Sequence, residues 1–208
     1  MFDKVFVISY INNFEHRKNI SDKLNNLGID FEFIYGPNLY DIPTFCNVDV
    51  QCDQLKKDDR HNDYYIHQVS GSQAHLMAVD YAYNGGYNNV LIIEDDVHFI
   101  KNKEFILDCL NNYPKDADLI QYGYINIFNF QSDNLFIKNF YMPGAQMYAL
   151  CNRNIMKVYL DSQHNYYSVA DNIFLFKTKS TYNRYITIPQ IAIDLDHIDN
   201  VNNLENYD

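Results

Sequence analysis

The run Val90–Ile93 (VLII) is the most apolar β-type segment of the chain, and it passes without a break into three acids, Glu94, Asp95 and Asp96. Consecutive Val, Leu and Ile residues read as a strand buried on both faces, the kind found in a parallel sheet covered by helices. The carboxyl end of such a strand lies at the edge where open α/β folds bind their ligands. Three adjacent carboxylates repel one another unless water or a cation separates them. Hard oxygen ligands of this kind suit Mg²⁺ or Mn²⁺. The competing reading of the same residues is a solvated turn whose acids favour the start of the next helix.

The flanking pattern supports an α/β sandwich. Lys4–Ser9 (KVFVIS) predicts a strand, Ile20, Leu24 and Leu27 recur at helical spacing before the stop signal Gly28, and Phe31–Tyr35 (FEFIY) alternates as a second strand. Strand, helix and strand in so short a stretch make a βαβ unit. Residues 36–67 show no lasting period, as in a long functional loop. Ser70 reads as the N-cap of a helix reaching Tyr83 and closed by Gly85-Gly86. Further along, the pattern predicts a helix around Phe105–Leu110 ended by Pro114, and a strand at Asp118–Tyr122. Irregular hairpins over Gly123–Tyr141 and a strand at Gln146–Leu150 follow. The last elements are a capped helix at Asn152–Leu160, a helix at Ser168–Phe176 and a strand at Tyr185–Ile188. The expectation is a single domain over residues 1–208, a mixed, mostly parallel sheet flanked by helices, with residues 198–208 frayed.

Composition narrows the function. Sixteen basic against 27 acidic residues give a net charge of −11, which disfavours nucleic acid as a partner. No apolar run approaches the ~20 residues of a membrane span, and the first residues lack a secretory pattern. The expected location is therefore cytoplasmic, either in a bacterium or, for a viral protein, in its host. Cys46, Cys52, Cys109 and Cys151 form no CxxC pair and read as reduced thiols.

VLIIEDDVHF resembles the acidic motif of glycosyltransferase family 25, which includes lipooligosaccharide sugar transferases and collagen galactosyltransferase domains. Other segments agree in order: VFVISYINNFEHRKNI with the family's first strand and an arginine at Arg17, LNNLGIDFEFIYGPN, and GSQAHLMAVDYAYNGGYNNVLIIEDD with a histidine at His75. GAQMYALCNRNIMKV and the aspartate-bearing SVADNIFLF follow, so that the resemblance runs over about residues 4–193. The chain departs from the family in having Ala74-His75 where a Ser-His pair is usual, and Ser70-Gly71 where a Gly-Cys pair is usual.

The resemblance implies a GT-A-type, Rossmann-like fold and transfer of a hexose from a nucleotide sugar, with UDP-galactose or UDP-glucose favoured. The acceptor would be a hydroxyl of a glycan, a lipid-linked glycan or a protein. It implies a divalent cation, Mn²⁺ or Mg²⁺, held by Glu94 and Asp96 with His197 completing the set; a surface histidine in a polar tail is the other reading of His197. Asp171 is the implied base, and an acid favouring a helix start is its alternative. Asp95 is assigned to the donor's ribose or sugar, and Ile8, Ser9 and Tyr10 to the base and ribose. Arg17 is assigned to the diphosphate, or to an exposed helix surface. Gln73 and His75 face the donor, unless His75 is structural. His16, His61, His67, His98 and His164 show no ligand-like spacing.

Three other functions compete. A non-catalytic nucleotide-sugar or carbohydrate-binding module would share this fold. A receiver domain resembles VLIIEDDV, but Asn139 stands where its phosphoacceptor aspartate should be. A glycoside hydrolase pairs carboxylates too, usually from separate parts of the sequence.

Overall fold

The computed structural model describes residues 2–37, 62–125, 132–140, 142–162 and 181–194, and within helix 62–84 the side chains from 70 onward. The predicted βαβ unit is β1 (Lys4–Ser9), α1 (Phe14–Leu27) and β2 (Glu32–Tyr35). Gly28 closes α1 in the left-handed region, φ 76°, with its N–H directed to the carbonyls of Leu24 and Asn25. Next come α2 (Asn62–Asn84), β3 (Val90–Glu94), β4 (Val97–Phe99) and α3 (Lys103–Asn111). Then follow β5 (Leu119–Gly123), β6 (Phe136–Lys138), β7 (Met147–Leu150) and α4 (Arg153–Asp161). The last described elements are β8 (Arg184–Thr187) and β9 (Ala192–Asp194). Asn102 and Asn152 cap α3 and α4, their side-chain oxygens accepting from the N–H of Phe105 at 2.9 Å and of Ile155 at 3.1 Å.

Two expectations need correction. The second helix begins at Asn62, so Ser70 is not its N-cap. Ser70 lies inside the helix, fully buried, and its hydroxyl donates to the Pro37 carbonyl at 2.9 Å, tying α2 to the chain that leaves β2. The stretch read as irregular hairpins contains β6, which pairs with the distant β8. The expected helix at Ser168–Phe176 lies outside the described residues.

The sheet runs in the order β2-β1-β3-β7-β5-β8-β6, with β9 joined to the end of β5 and β4 joined to β9. Strands β1, β2, β3, β5, β8 and β9 point one way, and β4, β6 and β7 the other. The sheet is mixed and mostly parallel. Side chains alternate between its faces. Val5, Val7, Leu91 and Ile93 pack with Ile20, Leu24, Ile106 and Cys109 from α1 and α3. Phe6, Ile8, Val90 and Ile92 pack with Ala74, Ala78, Ile155 and Met156 from α2 and α4. VLII is therefore continuous in hydrophobicity because each face of its strand meets a different core.

The chain steps outward from β1 to β2 and then crosses to β3 on the other side of β1. The order reverses there, at the carboxyl ends of β1 and β3, the place where open α/β sheets form their ligand crevice. Ile8 stands opposite Glu94 in the parallel register, so the acidic cluster and the end of β1 meet at that crevice.

Helix α1 is held to the sheet chiefly by Ile20 and Leu24, both fully buried. Leu24→Ala should cost about 2–5 kcal/mol, read as a lower urea midpoint at unchanged slope; a loss under about 1 kcal/mol would contradict this packing.

Candidate functional site

The three acids have different surroundings. Glu94 accepts from His75, whose Nε2 lies 2.9 Å from Glu94 Oε1, while the ring's Nδ1 lies 3.0 Å from the Tyr148 hydroxyl. Asp95 is buried, and its Oδ2 accepts a short hydrogen bond from the Ser9 hydroxyl. Its Oδ1 lies 3.6 Å from His16 Nδ1. Asp96 has no such arrangement: its Oδ1 is buried with no hydrogen-bond partner among the described residues.

The electrostatic consequence falls on Asp96. Burial, and then the charges of Glu94, Asp194 and Asp95, push its carboxyl up to about 8. Asp194 reaches this place because it ends β9, opposite Val97 of β4 in the antiparallel register. Lys23 of α1 donates to the Val97 carbonyl at 2.8 Å, and burial lowers its ammonium below the usual lysine range although Asp96 opposes that shift. His98 is lowered too, by burial and then by Lys23.

The β1–α1 turn forms the other lip of the crevice. Arg17 donates to the carbonyls of Tyr10 and Ile11, the latter at 2.7 Å, and its guanidinium lies over the rings of Phe14 and Tyr35 at 4.7 and 5.4 Å. Arg17 thus braces the turn that displays Ser9 and Tyr10. The Tyr10 ring packs where β2 leaves the sheet. A Cβ on Gly36 would come within 2.9 Å of Ala74 Cβ and 3.3 Å of that ring, so only glycine lets α2 and Tyr10 close in. Burial raises the Tyr10 hydroxyl above the usual tyrosine range, a hydrogen bond with Ser70 opposes this, and the three acids add to the rise.

The fold brings Ile8, Ser9, Tyr10, Arg17, His75, Glu94, Asp95 and Asp96 to one edge. Gln73 lies half-buried on α2, two residues before His75. His75 is 2% exposed, and both ring nitrogens have protein partners. The ring therefore stands behind Glu94, held from both sides by protein groups. Asp171 and His197 lie outside the described residues. The fold also brings Asp194, Lys23 and His16 beside the acids, three residues that no local pattern in the sequence singles out. Their signal is topological, since His16 follows β1 on the first turn of α1 and Asp194 opens the DLDHID segment.

With this geometry in place, comparison with known proteins is decisive at the family level. Residues 2–183 match the model of glycosyltransferase family 25 (LPS biosynthesis protein). The chain belongs to glycosyltransferase family 25. Among solved structures, this family 25 chain resembles a glycosyltransferase involved in the glycosylation of the major capsid of PBCV-1. The TM-score is 0.53 at 6% identity, over 97% of this chain and 98% of that one. A putative glucose-1-phosphate thymidylyltransferase from Bacillus anthracis, in complex with a sucrose, gives a TM-score of 0.48 at 11% identity over 88% and 85%. No curated protein matches. Among the described residues of this transferase, no helix is long and apolar enough to cross a membrane.

Asp96 yields a pH prediction. A carboxyl that ionises near 8 in the folded protein and near 4 in the unfolded chain leaves stability intact below about pH 4. It then removes stability progressively as pH rises toward 8. In metal-free buffer at pH 7.5, Asp96→Asn should therefore raise the melting temperature by at least about 2 °C. The advantage should vanish near pH 4; melting curves that stay parallel across this range would contradict the assignment.

Proposed function

We propose that this family 25 glycosyltransferase is a metal-dependent hexosyltransferase that uses a nucleotide-sugar donor, UDP-galactose or UDP-glucose in the first instance. The acceptor is a hydroxyl of a glycan, a lipid-linked glycan or a protein. The observation that carries the reading is the buried, unpartnered oxygen of Asp96 among like charges. A group in that state lacks one thing, a positive charge. The donor lacks the same thing, because its diphosphate approaches a chain of net charge −11.

The residues fit a cation, although no three His, Cys, Asp or Glu side chains among the described residues form a complete cage. An incomplete protein set suits Mg²⁺-like ions, which keep waters and take the remaining ligands from substrate phosphates. Asp96 and Glu94 would hold the ion, with His197 as the third protein ligand. When bound there, Mn²⁺ or Mg²⁺ would supply the positive charge that offsets the negative charge growing on a departing nucleoside diphosphate.

The protein groups do the remaining work. Ser9 holds the Asp95 carboxylate in one orientation, beside the place assigned to the donor's ribose or sugar. Arg17 braces the β1–α1 turn that carries Tyr10. Asp171 takes the proton from the acceptor hydroxyl as its oxygen bonds to the anomeric carbon and the bond from that carbon to the diphosphate breaks. A single aspartate base of this kind goes with inversion at the anomeric carbon. The LPS biosynthesis named for the family supports a glycan or lipid-linked glycan acceptor.

A thermal-shift panel of nucleotide sugars, each with and without Mn²⁺, tests the reading. A ligand that binds the folded state raises the melting temperature by linkage, and the correct donor should do so only when Mn²⁺ is present. Asp96→Ala should abolish that shift; a shift retained in full would remove Asp96 from the site. Asp171→Asn should keep donor binding and lose transfer to the acceptor; unchanged turnover would remove Asp171 from the mechanism. Nucleotide sugar bound without any release of nucleoside diphosphate would instead mark a binding module.

A further inference from the structure

His75 sits where three elements meet: it comes from α2, Glu94 ends β3, and Tyr148 lies on β7, paired in register with Ile92. Tyr148 is fully buried, whereas the Glu94 side chain is 30% exposed. The imidazole therefore links a phenol in the dry core to a carboxylate at the crevice. The His75 and Tyr148 rings are stacked, 5.6 Å apart and 28° from parallel, which fixes the plane of the imidazole. Nε2 lies 2.9 Å from Glu94 Oε1 and Nδ1 lies 3.0 Å from the Tyr148 hydroxyl, so each ring nitrogen has its own partner. Burial raises the Tyr148 hydroxyl well above the usual tyrosine range, and the neighbouring Tyr159 and the Glu94 charge add to the rise.

We propose that His75 is a positioning residue for the cation site: locked by Tyr148, it holds one oxygen of Glu94 and leaves the other aimed at the ion. The proposal rests on the reading of Glu94 as a cation ligand. Glutamate has one more side-chain torsion than aspartate, so a glutamate ligand at a half-exposed edge gains most from a fixed partner. A partner of this kind behind a metal ligand typically accounts for 10–100-fold in affinity. A histidine that served the core alone would need no link to a side chain at the crevice.

Two substitutions separate positioning from packing, because each keeps a different end of the imidazole. In His75→Gln the amide nitrogen stands near the former Nε2, so the bond to Glu94 survives and the Tyr148 hydroxyl loses its bond to residue 75. In His75→Asn the amide group stands near the former Nδ1, so Tyr148 keeps its partner and Glu94 is released. Mn²⁺ affinity is measured by electron paramagnetic resonance with UDP present, and stability by melting temperature in EDTA. His75→Gln should lose stability yet bind Mn²⁺ within about threefold of the wild type; His75→Asn should keep more of its stability and bind at least tenfold more weakly. Tyr148→Phe, which keeps the ring in the core, should fall between them in affinity. Equal losses of affinity in the Gln and Asn variants, or affinities that simply follow melting temperature, would overturn the proposal while leaving the cation site standing. A wild-type protein that binds no Mn²⁺ with any of UDP, GDP or CDP would overturn both.

Discussion

Three carboxylates in succession at the end of a buried strand cannot all remain ionised without an answering charge or hydrogen bond, and the protein answers them unequally. Glu94 leans on His75, Asp95 on Ser9 with His16 nearby, and Asp96 faces Asp194 with one oxygen unpartnered. The inequality is informative. Had every acid been given a donor, the cluster would read as a structural turn; had all been exposed, it would read as a solvated one. One acid left with an unpartnered oxygen amid the others concentrates the electrostatic cost at a single position, where the proposed cation would relieve it.

The fold produces this arrangement through alternation and order reversal. Residues of β1 and β3 alternate between two helix-covered cores, which holds both strands rigid from end to end. The reversal between β2 and β3 on either side of β1 then sets Ser9 beside the acids, so a hydrogen bond spans 86 residues of sequence. α2 contributes twice, through the small residue Ala74 that admits Tyr10 and through His75 that meets Glu94. Among the described residues, this edge is thus assembled from the βαβ unit, the next helix and one central strand.

Much of this was legible in the amino-acid sequence, and the omissions have physical causes. β1, α1, β2 and β3 announced themselves because apolar periodicity and Gly28 agree with the tertiary environment. The start of α2 was misplaced because Ser70 resembles an N-cap, while its hydroxyl instead satisfies the Pro37 carbonyl from within the helix. β4 and β9 have three residues each, too few to show a period, and with them went Asp194. The antiparallel setting of β7 was also hidden, since QMYAL shows burial but not direction. His75 was visible as a candidate, yet which way a histidine looks depends on Tyr148, 73 residues away. The roles of Asp171 and His197 stand on the family resemblance alone.

The central claim is that Asp96 is poised for a divalent cation shared with a nucleoside diphosphate. Diffraction from crystals grown with Mn²⁺ and UDP, recorded at the manganese absorption edge, tests it most directly. The account predicts one strong anomalous peak within coordination distance of the Asp96 carboxylate and of the diphosphate oxygens. A nucleotide seated in the crevice with no such peak at Asp96, or manganese bound elsewhere with Asp96 untouched, would contradict it.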